Sequence, residues 1–159
     1  MPRGERVTET IAFTVEDLGP VVAVMAGLEA TGGWLTLQPA FDAESAPPPR
    51  RGAGFFTARG PYIPVCNWVP GERTRQGIAY TALGIQHGAG GPVVALLDER
   101  EHTLAPGWEV IADHPARGLV VAIPPADDHA RAVGWLLDAA DLLCAVQLTG
   151  EWQATVHRR

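Results

Sequence analysis

Two hydrophobic periodicities alternate along this chain, and their order limits the folds that it can adopt. Apolar and β-branched side chains occupy every second position over residues 7–15, which is the period of a half-buried strand. Apolar side chains at helical spacing follow over residues 18–28, and Gly32-Gly33 then provides a stop signal. A short strand over residues 34–38 comes next. Residues 7–38 therefore predict a β-α-β unit.

The second half of the chain continues the alternation more regularly. Its order over residues 76–158 is β-α-β-β-α-β, which is typical of the ferredoxin-like split βαβ arrangement. We therefore predict one α+β domain over residues 1–159, with a mixed, mostly antiparallel sheet and about three helices on one face. Residues 7–38 either extend this sheet or begin a degenerate second copy. The segments behind this order are strands over 78–86, 108–113, 119–123 and 152–156, with helices beginning near Pro92 and at Asp127 or Asp128.

The stretch between these two regular parts has weak structural signals. Residues 39–76 are rich in proline, glycine and arginine, and we predict an irregular excursion from the domain. Segments 54–57 and 62–69 have strand-like composition. Prolines 61, 64 and 70 lie in or beside them and lack an N–H for a strand ladder, so we expect any strand here at a sheet edge.

The composition excludes several kinds of chemistry. All twelve basic side chains are arginines, so no lysine can form a Schiff base or the lysine contact of a phosphate-binding loop. The only serine, Ser45, precedes three prolines and does not resemble a strained nucleophile turn. Arginine in place of lysine, with abundant alanine, glycine and proline, is typical of a GC-rich bacterial coding sequence. We predict no cofactor.

Charge and hydropathy restrict the partners. A net charge of −6 and a pI near 5.3 argue against nucleic acid, which needs a basic face. No apolar run approaches the roughly 20 residues of a membrane span, and the N-terminus lacks the apolar core of a signal peptide. We therefore expect a cytoplasmic protein that contacts neither nucleic acid nor membrane.

The glycine-rich loop over residues 84–92 is the best candidate for a ligand site. It follows a predicted strand and opens a predicted helix, where unpaired backbone N–H groups and the helix dipole attract anions. Its glycines allow close approach to the backbone, and two arginines upstream offer bidentate recognition. The alternative is an ordinary flexible turn with a histidine facing solvent. The predicted anion-binding residues are Gln86, His87, Gly88, Gly90, Gly91, Arg73 and Arg75.

Other residues with reactive side chains give weaker signals. Asp113 precedes His114, and a carboxylate can orient an imidazole that acts as a general base. Neighbouring residues of a strand point to opposite faces, so we favour the reading in which both belong to a hairpin turn. Cys66 and Cys144 have no local signature of a nucleophile and are predicted to be reduced, packed thiols. The spacing of histidines and cysteines matches no metal motif, and we predict no metal site.

Aromatic residues and arginines concentrate in the irregular region. Five of the twelve arginines fall within residues 50–75, and this combination is typical of binding hot spots. The alternative is that the aromatic side chains cover the open face of the sheet. The residues predicted for an interaction surface are Arg50, Arg51, Phe55, Phe56, Tyr62 and Trp68.

These observations favour a bacterial interaction module without evident catalytic residues, binding a protein partner or forming a homodimer. The alternative is a small enzyme or ligand-binding domain that takes an anionic substrate at loop 84–92, with His87 or His114 as the acid or base.

Overall fold

The computed structural model describes residues 6–41 and 62–159, and within them the chain forms seven strands and three helices. The strands are β1 (Arg6–Thr14), β2 (Gly33–Phe41), β3 (Val65–Arg73), β4 (Ala79–Gln86), β5 (Glu109–His114), β6 (Gly118–Ile123) and β7 (Leu148–Arg158). The helices are α1 (Gly19–Thr31), α2 (Val94–Glu99) and α3 (His129–Leu143).

All seven strands belong to one sheet with the spatial order β1-β7-β2-β3-β4-β6-β5, and every neighbouring pair is antiparallel. The sheet is thus antiparallel throughout, where a mixed sheet was expected. Strands β1 and β2, joined by α1, run in the same direction with β7 between them. Strands β4 and β5, joined by α2, do the same with β6 between them. Two split β-α-β units therefore flank the central strand β3.

Most predicted elements are present at nearly the predicted residues. Helix α1 ends at the predicted stop, where Gly32 adopts a φ of 77° and its N–H donates to the carbonyl of Leu28. Helix α3 begins after Asp128, whose Oδ1 accepts from the N–H of Arg131 at 2.8 Å. Strands β5 and β6 form the predicted hairpin.

The ferredoxin-like core predicted over residues 76–158 is not confirmed. In that arrangement the last strand would lie beside the first, so β7 would pair with β4. In the structure β7 pairs with β1 and β2, and the β2-β3 pair lies between β7 and β4. Helix α3 therefore crosses three strands before β7 begins. Residues 7–38 extend the same sheet, as one of the two expectations had it.

The region predicted to be irregular contains regular strand at both of its ends. Strand β2 continues to Phe41, and β3 occupies Val65–Arg73 in the middle of the sheet although prolines were expected to exclude it from there. Pro70 is tolerated because it lies at a bulge: the register between β3 and β4 shifts between Val69 and Glu72, and Gly71 adopts a φ of 78°. Residues 42–61 lie outside the part of the chain described.

The helices pack against one face of the sheet, which the register makes apolar. Paired positions across β1, β7, β2, β3, β4 and β6 form one row on this face: Ile11, Ala154, Leu37, Cys66, Ile85 and Leu119. All but the partly buried Ile11 are at most 1% exposed. Val21, Met25 and Leu28 of α1 and the apolar side of α3 cover this face, and Leu97 of α2 lies near Leu119. Each fully buried Leu-sized side chain contributes about 1.5–3 kcal/mol.

Candidate functional site

The predicted anion loop lies between β4 and α2, at the end of the sheet to which β4 runs. Gln86 is exposed at the last position of β4, and Gly90 adopts a φ of 81°. His87 directly follows β4. Its side chain is fully buried, whereas the alternative interpretation of this loop as a flexible turn predicted a histidine facing solvent.

The amide groups at the start of α2 are bound by a carboxylate of the chain itself. The N–H of Val93 donates to both carboxylate oxygens of Asp113, at 2.8 and 3.1 Å, and the N–H of Val94 donates to Oδ2 at 3.0 Å. Asp113 reaches them because it pairs with Leu119 and so extends the apolar row on the helix face. Asp113 therefore occupies the position at which an external anion was predicted to meet the helix start.

The protonation of His87 follows from its hydrogen bond. The N–H of Ala89 donates to Nδ1 at 3.2 Å, so Nδ1 is unprotonated and the proton of the neutral ring is on Nε2. Among the described residues, Nε2 has no hydrogen-bond partner although it is buried. Burial lowers the pKa of His87 below its ordinary value of 6.5, and the negative charge of Asp113 opposes this shift. His87 is therefore a neutral, buried donor.

Arg73 and Arg75 do not lie near the loop. Arg73 is the last residue of β3, where its Nη1 donates to the carbonyl of Gly77 at 2.9 Å, and Arg75 lies in the connection between β3 and β4. The first seven residues of β4 separate this connection from Gln86. At about 3.3 Å per residue that is roughly 25 Å, beyond the reach of an arginine side chain.

Asp113 and His114 point to opposite faces of β5, so their side chains do not form a catalytic pair. Nδ1 of His114 accepts from the N–H of Ala116 at 3.1 Å and from that of Arg117 at 3.3 Å. These bonds order the turn between β5 and β6. The predicted role in a hairpin turn thus fits His114. Asp113 instead binds the start of α2, a long-range role that the sequence analysis missed.

The residues predicted for an interaction surface have different positions. Tyr62 is 49% exposed. Trp68 is 1% exposed and lies on the helix side of β3, with its ring edge-on to the ring of His129 at a centroid distance of 5.7 Å. Trp68 is therefore a core residue. Arg50, Arg51, Phe55 and Phe56 lie outside the described residues.

His102, His129 and Cys66 contribute to packing. Nε2 of His102 donates to the carbonyl of Trp135 at 2.9 Å, and His129 lies 3.3 Å from a carboxylate oxygen of Glu29. Burial raises the pKa of the Cys66 thiol to about 12, which excludes a thiolate nucleophile at neutral pH. No three His, Cys, Asp or Glu side chains gather at metal-binding distance within residues 6–41 and 62–159.

The face of the sheet opposite the helices, called the open face below, has an uncharged centre. One register row crosses all seven strands on this face, and none of its side chains is ionisable. No helix among the described residues packs on it. This central row consists of Thr10, Thr155, Thr36, Asn67, Gly84, Val120 and Ala112, from one edge to the other.

A cleft of about 570 Å³ lies where β1, β7 and β2 run side by side near the start of α1. Its size is in the range of small-molecule sites. The exposed carboxylates of Asp17 and Glu151 line it, and Gln38 and Gln153 face each other across two strands. An anionic ligand needs a basic lining, so these carboxylates do not suit the predicted ligand. No residue selected in the sequence analysis lines the cleft.

Comparison with protein-family models, with curated proteins and with solved structures found no match to this chain. None of the three described helices has the length and apolar character needed to cross a bilayer.

Proposed function

We propose that this chain is a protein-interaction module whose contact surface is the open face of its sheet. The observation that supports this proposal is the uncharged central row, which crosses all seven strands. When one face of a sheet packs on the core and the other faces water, the water-exposed face usually presents polar and charged side chains. Depletion of charge at the centre of a surface is instead typical of protein interfaces.

The composition of the open face indicates the kind of partner. Threonines and Asn67 occupy the half of the central row nearer β1, and small or apolar residues occupy the half nearer β5. The parallel row through Val69, Ala82 and Ala122 is also apolar and reaches a charge only at Glu109, on the last strand. A surface with an uncharged centre and charges at its margin suits a protein surface of low charge and does not suit a small polar substrate.

The test is capture of a partner from the source cells by the tagged chain and by two matched Val→Glu variants. Val120→Glu places a carboxylate in the central row. Val15→Glu changes an exposed valine, 46% accessible, in the connection between β1 and α1. We expect the wild-type chain and Val15→Glu to retain the same protein and Val120→Glu to lose it, because an unpaired charge in an interface core costs about 2 kcal/mol or more, roughly thirtyfold in affinity.

Two results would contradict this proposal. One is a partner that binds Val120→Glu as tightly as the wild-type chain. The other is a large loss of unfolding free energy in isolated Val120→Glu relative to Val15→Glu, which would mean that the chain itself covers the open face. Urea unfolding of all three purified chains measures this second outcome.

A second candidate function is a small enzyme or ligand-binding domain that takes an anionic substrate at loop 84–92. The observation that favours it is the buried Nε2–H of His87, for which the described residues offer no acceptor. Against it stands Asp113, whose carboxylate already binds the amides of Val93 and Val94. We therefore rank it below the interaction module.

A further inference from the structure

The two edge strands of the sheet differ in chemistry. On β1, Glu9 forms an ion pair with Arg158 at 3.1 Å, Thr10 and Ala12 are exposed, and the large side chain of Phe13 is buried against the helix layer. On β5, Val110 is 40% exposed and Ile111 is 50% exposed. The β1 edge is therefore polar at its centre, whereas the β5 edge is apolar at its centre, between Glu109 and Asp113.

Strand β5 has two acidic residues, Glu109 and Asp113, but lacks most other features that protect an edge. It pairs with β6 on one side, and no described strand pairs with its other side. Its six residues include no proline, lysine or arginine, which are common protective residues at edges. A bulge is present, because Val110 and Ala112 pair with the consecutive residues Val121 and Val120, and it leaves Ile111 without a partner on β6. An apolar edge with unpaired backbone groups favours the addition of another strand.

We propose that β5 pairs antiparallel with β5 of a second copy of this chain, so that two sheets join edge to edge in a homodimer. This inference goes beyond the proposed function, since it concerns the edge and not the open face.

Two observations favour a second copy over another protein. Val110, Ile111 and Ala112 of β5 are uncharged, and a two-fold axis between Val110 and Ile111 brings apolar side chains together and places Glu109 opposite Ala112, so that no like charges stand directly opposite. Asp113, which follows them, already has its carboxylate bonded to the start of α2 and adds little repulsion. The same axis leaves the helices of both copies on one side of the joined sheet.

The test is the molar mass in solution, measured by light scattering after size-exclusion chromatography over a range of concentrations. The variants are Ile111→Lys and Val110→Lys, with Ile78→Lys as control, because Ile78 is 64% exposed in the connection between β3 and β4. We expect dimers for the wild-type chain and for Ile78→Lys. Each β5 variant should raise the dimer dissociation constant about tenfold or more, since it places like charges across the two-fold axis. Circular dichroism confirms that each variant is folded.

Hydrogen exchange on the wild-type chain gives a second readout that needs no variant. Backbone amides in residues 109–114 should become more protected as the protein concentration rises, whereas those in residues 118–123 should not change. A monomeric wild-type chain at high concentration, a dimer that Ile111→Lys does not weaken, or concentration-independent exchange in β5 would each overturn the proposal. A failed capture experiment on the open face would leave it intact.

Discussion

At the scale of single residues, side chains that look reactive in the sequence have structural roles in this fold. Asp113 caps α2 from a strand nineteen or twenty residues further along the chain, and His114 orders a hairpin turn. The sequence predicts that His114 belongs to a turn, and its role there is local, with partners two and three residues away. It does not predict the role of Asp113, because the pairing of β5 with β6 decides which loop the carboxylate of Asp113 reaches.

His87 provides a prediction at the same scale. Burial lowers its pKa from 6.5, and the nearby charge of Asp113 only partly opposes this. Below pH 6.5 the unfolded chain therefore takes up a proton that the folded chain resists. The free energy of unfolding should fall as the pH decreases from about 6.5 towards the pKa of the folded state, and this residue should contribute no pH dependence above that window.

The measurement is urea unfolding at about pH 7.5 and about pH 5.5, on either side of the ordinary histidine pKa. His87→Asn removes the titrating group and keeps an acceptor for the Ala89 N–H. We expect the decrease in unfolding free energy from the higher to the lower pH to be smaller in His87→Asn than in the wild-type chain. His114→Gln, at an exposed turn position, is the control. An equal pH dependence in His87→Asn and the wild-type chain would show that His87 is not a buried neutral group.

At the scale of helices and strands, periodicity predicts which elements exist but not how they pair. The apolar run of β6 and the stop at Gly32 are local signals, and both are confirmed. Strand β3 was assigned to an edge because of its prolines, and the error arose because a bulge at Pro70-Gly71 makes a central position possible. A bulge depends on the neighbouring strand, which local sequence does not specify.

Two glycines test how closely β4 and β6 pack. Gly107 and Gly118 both have a positive φ, at 84° and 82°. A Cβ at Gly107 would meet nothing within 4 Å, whereas a Cβ at Gly118 would collide with the backbone carbonyl of Ile85. We expect Gly107→Ala to lower the free energy of unfolding by only about 1–2 kcal/mol, which is the cost of the left-handed conformation for a residue with a Cβ. Gly118→Ala should lower the free energy of unfolding clearly more than Gly107→Ala does, as measured by urea unfolding. Equal decreases in the two variants would contradict the described contact between β4 and β6.

At the scale of the whole molecule, the chain order of elements was predictable and the order of strands in the sheet was not. Strand β7 could close the sheet beside β4 or be inserted between β1 and β2, and both choices bury the same alternating residues, Trp152, Ala154 and Val156. Among the described residues, the insertion produces a wide sheet with helices on one face, an opposite face with an uncharged centre, and an edge at β5 whose centre is apolar. The proposed contact surfaces follow from this arrangement, and the composition of residues 50–75 did not indicate them.

The most direct test of the central claim is native mass spectrometry of the purified wild-type chain. An interaction module should appear at the mass of the chain or at whole multiples of it, with no added mass, and the multiple itself reports on pairing through β5. A small anion retained at a fixed ratio to the chain would contradict the interaction module and favour a ligand site at loop 84–92.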